Sequence, residues 1–482
     1  MENIARHNIH WNQRTKIVCT LGPGVNSSQM IKRLIRAGMN IARINLSHGN
    51  LDEHAHFIAM VRDNAERLGS NVAILADLPG PKYRTGELQQ NSVLLMRDSE
   101  VRLTNKALLG NDKVIPINFP NLAADVKTGC KILVDDGNIQ LKVKEVEGDD
   151  VVCRVTAGGV LTKGRGVVVP GAPVRGPFVT DQLKANLDFV VEQLPDYIAL
   201  SFVTKPEDVL QVRAILTSRD VDIPIICKIE RAEAVKNFDK ILEVSDGVMV
   251  ARGDLGVEIA LKKVPMVQKE IIYKCNRAGK PVITATQMLE SMVNTSRPTR
   301  AEVTDVANAI LDGTDAIMLS AETSVGKYPV QAAAMMCSIA QETERHLSYE
   351  QLLNQRAEFL ENQTDELISY NACYTAFKLK AAAIVAFTQS GATARRVSKY
   401  RPLVPIVAIT PIQQVTNRLV LSWGVQAFQI ATPATVDDLF DTGANLAKKL
   451  GIVKSGDSVV ITGGVPIGVA RSTNFLRVHK ID

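Results

Sequence analysis

Eight short apolar runs, each ending in polar or charged residues and each set apart from the next by a segment of helical periodicity, constrain this chain more than anything else in it. They are Lys16–Leu21, Asn40–Asn45, Val72–Asp77, Tyr197–Phe202, Ile225–Glu230, Gly247–Ala251, Val282–Thr286 and Ala316–Ser320. Eight parallel strands joined by helices predict a (β/α)8, or TIM, barrel, where function gathers at the C-terminal strand ends and the loops beyond them. About 120 residues separate the third run from the fourth, far more than a βα loop needs, so a further domain is expected there. That insertion reads as strands at Val101–Leu103, Val114–Ile117, Lys131–Val134, Gln140–Val146 and Val151–Val155, with Asp136-Gly137 as a hairpin turn, and predicts a small β-barrel lid. Beyond Tyr349, βα alternation resumes at Ala383–Thr388, Ile406–Thr410, Val425–Ile430, Ser458–Thr462 and Phe475–His479. The expected fold class is therefore α/β, with a barrel from residues 1–80 and 178–349, an inserted lid from 81–177 and an open C-terminal α/β domain from 350–482.

Composition excludes several classes of function. No apolar stretch reaches the length of a membrane helix. The opening residues, Met1 to His7, lack the apolar core of a secretory signal, so a cytoplasmic protein is expected. The seven cysteines are scattered, without a C-x-x-C pair or zinc-like spacing, which predicts reduced core thiols. Basic and acidic residues, 56 and 51, are interleaved, and aromatics are only 5% without a cluster, which argues against nucleic acid.

The densest chemical signal is Ile225-Ile226-Cys227-Lys228-Ile229-Glu230 followed by Val248-Met249-Val250-Ala251-Arg252-Gly253-Asp254-Leu255-Gly256, two strands that each end in charge. Glu230 and Asp254 offer the hard oxygens that Mg²⁺ takes together with substrate oxygens and water. Lys228 lies on the same strand face as Glu230, because strand side chains repeat with period two. The plain structural alternative is an ion-pair network closing the barrel top; so many neighbouring charges, however, are expected to need a metal and an anion among them. Gly253 is read either as a close-approach site for an anion at a helix start or as a turn glycine. Ala42-Arg43-Ile44-Asn45-Leu46-Ser47-His48-Gly49 places another cation at a strand end: Arg43 suits bidentate phosphate recognition, and His48 is either a nucleotide contact or a helix cap. With no Walker A sequence, phosphoryl chemistry would need a different cradle.

At this point the residues resemble one family, the pyruvate kinases. The resemblance rests on Thr15 to Pro23, Ala42 to Gly49, Lys228-Ile229-Glu230, Val250 to Gly256, Thr286 to Met292, Arg297 to Glu302 and Leu319 to Thr323. It implies phosphoryl transfer from phosphoenolpyruvate to ADP, with Glu230 and Asp254 holding Mg²⁺, for which Mn²⁺ can substitute. It further implies that Gly253, Asp254 and Thr286 bind the substrate carboxylate region, that Lys228 stabilises the phosphoryl group in flight and that Arg43 grips it. Arg84, Arg165 and His48 would contact the nucleotide, and Thr286, Ser320 and Glu322 would relay the proton that the enolate gains. Homotetramers and an effector site in the C-terminal domain are also implied, here at Thr388, Ser390 and Thr393. This chain has Gln389 and Ala392 in that loop and lacks the tryptophan and arginine of bisphosphate-regulated relatives near Gly463, so a sugar monophosphate is expected. In Ala76-Asp77-Leu78-Pro79-Gly80-Pro81-Lys82-Tyr83-Arg84 the chain departs from potassium-requiring relatives, which place glutamate at the position of Lys82. The K⁺ pocket of those relatives corresponds to Asn45, Ser47, Asp77 and the carbonyl of Leu78. A fixed ammonium beside it predicts that K⁺ is not required. The rival reading is a metal-dependent lyase or aldolase in the same fold, which would need no nucleotide.

Overall fold

In a computed structural model, residues 13–118, 122–172, 176–469 and 472–482 are described; the Met1–His7 segment lies outside them. All eight runs are strands: β1 Lys16–Thr20, β2 Met39–Asn45, β3 Ala73–Leu78, β4 Tyr197–Leu200, β5 Ile225–Ile229, β6 Gly247–Ala251, β7 Val282–Ala285 and β8 Ala316–Leu319. They close into one parallel barrel, with β1 pairing both β2 and β8. Because helices cover the outside and side chains fill the inside, both strand faces are buried and the strands read as unbroken apolar runs.

The alternation within each strand decides what reaches the barrel mouth. Val18, Ile41, Leu75, Ala199, Ile226, Met249, Ile283 and Met318 share the inner core, which Val420 and Leu421 of the C-terminal region complete. Two residues further along, the same inward face carries Thr20, Arg43, Asp77, Ser201 and Lys228 on five consecutive strands. A polar layer therefore follows from strand register alone.

The insertion after β3 forms a seven-stranded sheet in the order Tyr83–Arg84, Gly166–Val168, Lys131–Val134, Ile139–Glu147, Asp150–Ala157, Glu100–Thr104 and Val114–Pro116. An antiparallel bridge between Thr85 and Ile117 joins its first and last strands, so the sheet curls toward a barrel around its own apolar core. The turn at Asp136-Gly137 is present, with Asp135, Asp136 and Gly137 all in the left-handed region. Four strands lay outside the sequence expectation: Tyr83–Arg84, Ser92–Leu95, Gly159–Thr162 and Gly166–Val168.

The C-terminal sheet contains β9 Ala383–Phe387, β10 Ile406–Thr410, β11 Val425–Gln429, β12 Ser458–Gly464 and β13 Thr473–Lys480, in the order β11-β10-β9-β12-β13. Only β13 is antiparallel. The strand order reverses beside β9, which opens a crevice at the carboxyl ends of β9, β10 and β12. Polar ties join this domain to the barrel floor: Arg401 donates to Asp315 (2.7 Å), Lys16 to the Val425 carbonyl (2.8 Å) and Arg14 Nη2 to the Leu403 carbonyl (2.5 Å).

Candidate active site

Arg43, Asp77, Ser201 and Lys228, from β2, β3, the end of β4 and β5, make one bonded layer. Arg43 Nε donates to Asp77 Oδ2 at 2.7 Å and Nη1 to Thr20 Oγ1 at 2.9 Å. Its Nη2 makes no hydrogen bond among the described residues. Lys228 Nζ contacts Ser201 Oγ (2.8 Å), Asp77 Oδ1 (3.2 Å) and Glu230 Oε1 (2.9 Å). Lys228 and Glu230 thus share a face, as strand period requires. The expectation that these charges would lack partners without a metal and an anion is corrected: two cations and two carboxylates satisfy one another within the chain.

Their ionisation follows from those contacts. Burial would lower the Lys228 pKa, but Asp77 and Glu230 outweigh it and hold the ammonium above its usual value. Burial would raise Asp77; Lys228 and Arg43 overcome this and hold it below the usual carboxylate range. Glu230 is pushed up, first by burial and then by the Asp254 charge, against the pull of Lys228.

Glu230 is 1% exposed, and its Oε2 accepts the Phe202 amide at 2.8 Å. Phe202 is held at φ 59°, a conformation side chains seldom adopt, so the end of β4 is bent to deliver that amide. Asp254 stands in the first turn of the helix Arg252–Glu258 and is partly open to the mouth. Two carboxylates of adjacent strand ends, with no third His, Cys, Asp or Glu grouped with them among the described residues, fit Mg²⁺. A zinc-like nitrogen or sulfur cage is not what these residues offer.

Gly253 donates its amide to Thr286 Oγ1 at 2.8 Å, so that N–H is already engaged, contrary to the expectation that it faces an anion. The turn-glycine reading fails as well. Gly253 lies within a helix, and a Cβ built on it would meet only Thr286, at 3.5 Å or beyond. The fold tolerates a side chain here, so neither backbone conformation nor close packing demands glycine. Thr286 and Gln287 both have positive φ, and Arg252 clamps the Thr286 carbonyl at 2.7 Å while pairing with Asp305 at 2.7 Å.

Glu322 is fully buried. One oxygen accepts the Leu289 amide (3.0 Å) and the other the Ser320 amide (2.7 Å). Both oxygens are consumed by backbone, so it braces the loops after β7 and β8. Ser320, partly open, lies at the end of β8.

Arg84 stands on one of the two strands that begin and end the insertion and Arg165 immediately before the other, where Gly166 pairs with Arg84. Arg84 Nη1 holds the Gly164 carbonyl (3.0 Å), and Arg165 holds Thr162 Oγ1 (2.6 Å) and Asp135 (3.3 Å). His48, exposed at its loop tip, titrates below the usual histidine range through partial desolvation and the charges of Arg84 and Arg43, so it is neutral near pH 7.

In the pocket corresponding to K⁺, Asn45 Oδ1 accepts the Ser47 amide (3.2 Å), the Leu78 carbonyl accepts the Ser201 amide (3.3 Å), and Asp77 is bonded as above. Lys82 turns elsewhere. Its Nζ bonds Asp254 Oδ1 at 2.6 Å and lies 5.1 Å from the Phe202 ring centroid.

At the C-terminal crevice, Thr388, Gln389 and Thr393 line a half-open pocket with Pro411, Thr432 and Ser472. Thr393 Oγ1 bonds Thr473 Oγ1 at 2.7 Å. Ser390 is not part of the wall, and its buried hydroxyl has no hydrogen-bond partner among the described residues.

Sequence reasoning missed Ser201, Phe202 and Thr20. The inward alternation of Tyr197 and Ala199 points directly to Ser201, and that of Val18 to Thr20; nothing in the sequence marks the Phe202 strain.

Residues 12–333 match the family described as pyruvate kinase, barrel domain, and residues 366–479 match pyruvate kinase, alpha/beta domain. A pyruvate kinase of Geobacillus stearothermophilus is 47% identical over 97% of this chain, which spans 80% of that longer relative. One of Clostridium acetobutylicum is 43% identical over 98% of this chain and its own full length. The crystal structure of a pyruvate kinase from Cryptosporidium parvum superposes with a TM-score of 0.93 at 35% identity, covering 100% of this chain and 98% of that one. With both domains matched in order and relatives 43–47% identical over nearly the whole chain, the chain belongs to the pyruvate kinase family, phosphotransferases that convert phosphoenolpyruvate and ADP to pyruvate and ATP.

Proposed function

We propose that the family reaction runs on the polar layer of the barrel mouth, with Glu230 and Asp254 holding Mg²⁺ or, in its place, Mn²⁺. The observation that carries this reading is the charge-balanced layer Arg43–Asp77–Ser201–Lys228 facing those two carboxylates. When bound, the divalent cation supplies charge neutralisation at phosphoryl oxygens. Lys228, fixed by three oxygens, presents its ammonium to the phosphoryl group between donor and acceptor, where charge is spread over the equatorial oxygens. Arg43 offers Nη2 to the same group while Asp77 and Thr20 hold the rest of its guanidinium. The region beside Gly253, Asp254 and Thr286 takes the substrate carboxylate. Thr286 and Ser320 lie where the enolate carbon gains its proton through water, and Glu322 positions them. Arg84, Arg165 and His48 bind the nucleotide phosphates. A coupled assay tests the reading: ATP must form only with both phosphoenolpyruvate and ADP present, whereas product formed without ADP would instead indicate a lyase. Homotetramers are inferred from the family resemblance, which Leu261 (76% exposed) and Met266 (66% exposed) support as apolar surface available for association; sedimentation velocity reads this. Among the described residues no helix is long and apolar enough to cross a membrane.

K⁺ is not required in this reading. Asp77, which would hold it, is already neutralised by Arg43 and Lys228, and Lys82 adds a positive charge at the hinge. Initial rates in tetramethylammonium buffer free of K⁺ and Na⁺ are expected to match those in saturating KCl within about twofold, since the charge is supplied by the chain. A many-fold activation of the wild type by K⁺ would sink this; Lys82→Glu is expected to acquire a K⁺ requirement.

The effector is a sugar monophosphate bound at the crevice beside β9, where Thr388, Thr393 and the amides opening the helix Ala392–Lys399 surround the pocket. The double variant Ser390→Ala, Thr393→Ala is expected to lose activation by hexose or pentose phosphates while keeping its unstimulated rate. An unaltered response rejects the site.

A further inference from the structure

Lys82 belongs to the lid hinge, yet its ammonium sits on a carboxylate of the barrel. Three neighbours hold it there. Asp254 Oδ1 accepts its hydrogen bond at 2.6 Å. The Phe202 ring lies 5.1 Å away, on the same residue whose amide is bonded to Glu230. On the other hinge strand, a Cβ added at Gly166 would come within 2.6 Å of Lys82 Cε and 3.1 Å of its Nζ, and its three nearest neighbours all belong to Lys82. The space over Gly166 is thus the channel through which Lys82 runs. The hinge itself is pressed onto the end of β4, where a Cβ on Gly80 would lie 2.2 Å from the Ser201 carbonyl oxygen.

We infer that Lys82 is a tethered rival of the divalent cation for Asp254, so that lid position and metal affinity are coupled. This rests on the assignment of Asp254 as a metal ligand. An ammonium bonded to one carboxylate oxygen neutralises the charge that attracts a divalent cation and repels that cation at short range. The two occupants exclude each other. Withdrawal of the hinge strands carries Lys82 off Asp254 and strengthens metal binding; metal binding, in turn, releases Lys82 and with it the hinge strands. The coupling is reciprocal by thermodynamic necessity. Lys82 is in this sense a positioning residue of the lid.

The test measures Mn²⁺ affinity of the nucleotide-free enzyme by the paramagnetic resonance of unbound Mn²⁺, together with amide exchange in the hinge strands Tyr83–Arg84 and Gly166–Val168. Lys82→Met is expected to bind Mn²⁺ about three- to tenfold more tightly, the scale of a half-buried ion pair, and to exchange faster at the hinge. Gly166→Ala keeps the lysine charge and crowds only the flexible end of its side chain, so it is expected to tighten Mn²⁺ binding by less than Lys82→Met does. In the wild type, Mn²⁺ alone is expected to speed hinge exchange, and in Lys82→Met to leave it unchanged. Tightening in Lys82→Met with Mn²⁺ still speeding exchange at its hinge strands overturns the inference, since it reduces Lys82 to a distant charge. Unchanged Mn²⁺ affinity in Asp254→Asn removes the metal assignment itself, and the latch with it.

Discussion

Asp254→Asn is expected to lose catalytic turnover by about a thousandfold or more at saturating Mg²⁺, the scale on which positioned charge acts in phosphoryl transfer. The fold is expected to survive. Asp254 is partly open, and the amide can keep a hydrogen bond to Lys82, so thermal unfolding should move little. Glu230→Gln is expected to be equally inactive but structurally less clean. Its two oxygens accept from Lys228 and from the Phe202 amide, and a carboxamide has one acceptor and one donor for two donors. One of those donors must lose its bond within a buried layer, at a cost of about 1–3 kcal/mol. Near wild-type turnover in Asp254→Asn at saturating Mg²⁺ would refute the metal assignment, because that variant changes charge with the least disturbance of packing.

Lys228→Met separates chemistry from binding. If the ammonium acts mainly on charge that develops in transit, kcat is expected to fall by about three to four orders of magnitude while phosphoenolpyruvate affinity changes by only a few-fold. The contacts of Lys228 add a second expectation. Methionine leaves Glu230 and Ser201 facing an apolar group, while Asp77 keeps Arg43, so the variant should be destabilised by about 3 kcal/mol, as when one partner of a buried ion pair is removed. Melting and single-turnover measurements on the same preparation therefore belong together. Lost substrate affinity with intact kcat in a folded variant would place Lys228 in ground-state binding.

Much of the site was legible because strand alternation is a strict rule. Once Ile226 is inside, Lys228 is inside; once Ile41 is inside, so is Arg43. The charges at the ends of β2, β3, β5 and β6 could thus be assigned to one mouth from the sequence. The partners of those charges could not. That Lys228 spends its donors on Asp77, Ser201 and Glu230 depends on which strands are neighbours, and that Glu322 spends both oxygens on loop amides depends on how two loops pack. The strands missed in the lid are two to four residues long, too short for alternation to be visible. Lys82 was read against the nearby Asn45, Ser47 and Asp77 because those are what the family resemblance supplies. Its bond to Asp254, across 172 positions of chain, is a matter of where the insertion returns.

Val420 and Leu421 have a consequence for anyone recombining these enzymes. They are 7% and 1% exposed, and they finish the inner core of a barrel to which they do not belong in sequence. Burying two such side chains is worth about 1.5–3 kcal/mol each. A graft that joins the barrel of one homologue to the C-terminal domain of another at the natural seam near residue 350 therefore exchanges the stopper without exchanging the bottle. Chimeras that carry residues 418–423 over with the barrel's own floor should fold where seam-cut ones aggregate, and expression of the barrel alone should leave it open at its base.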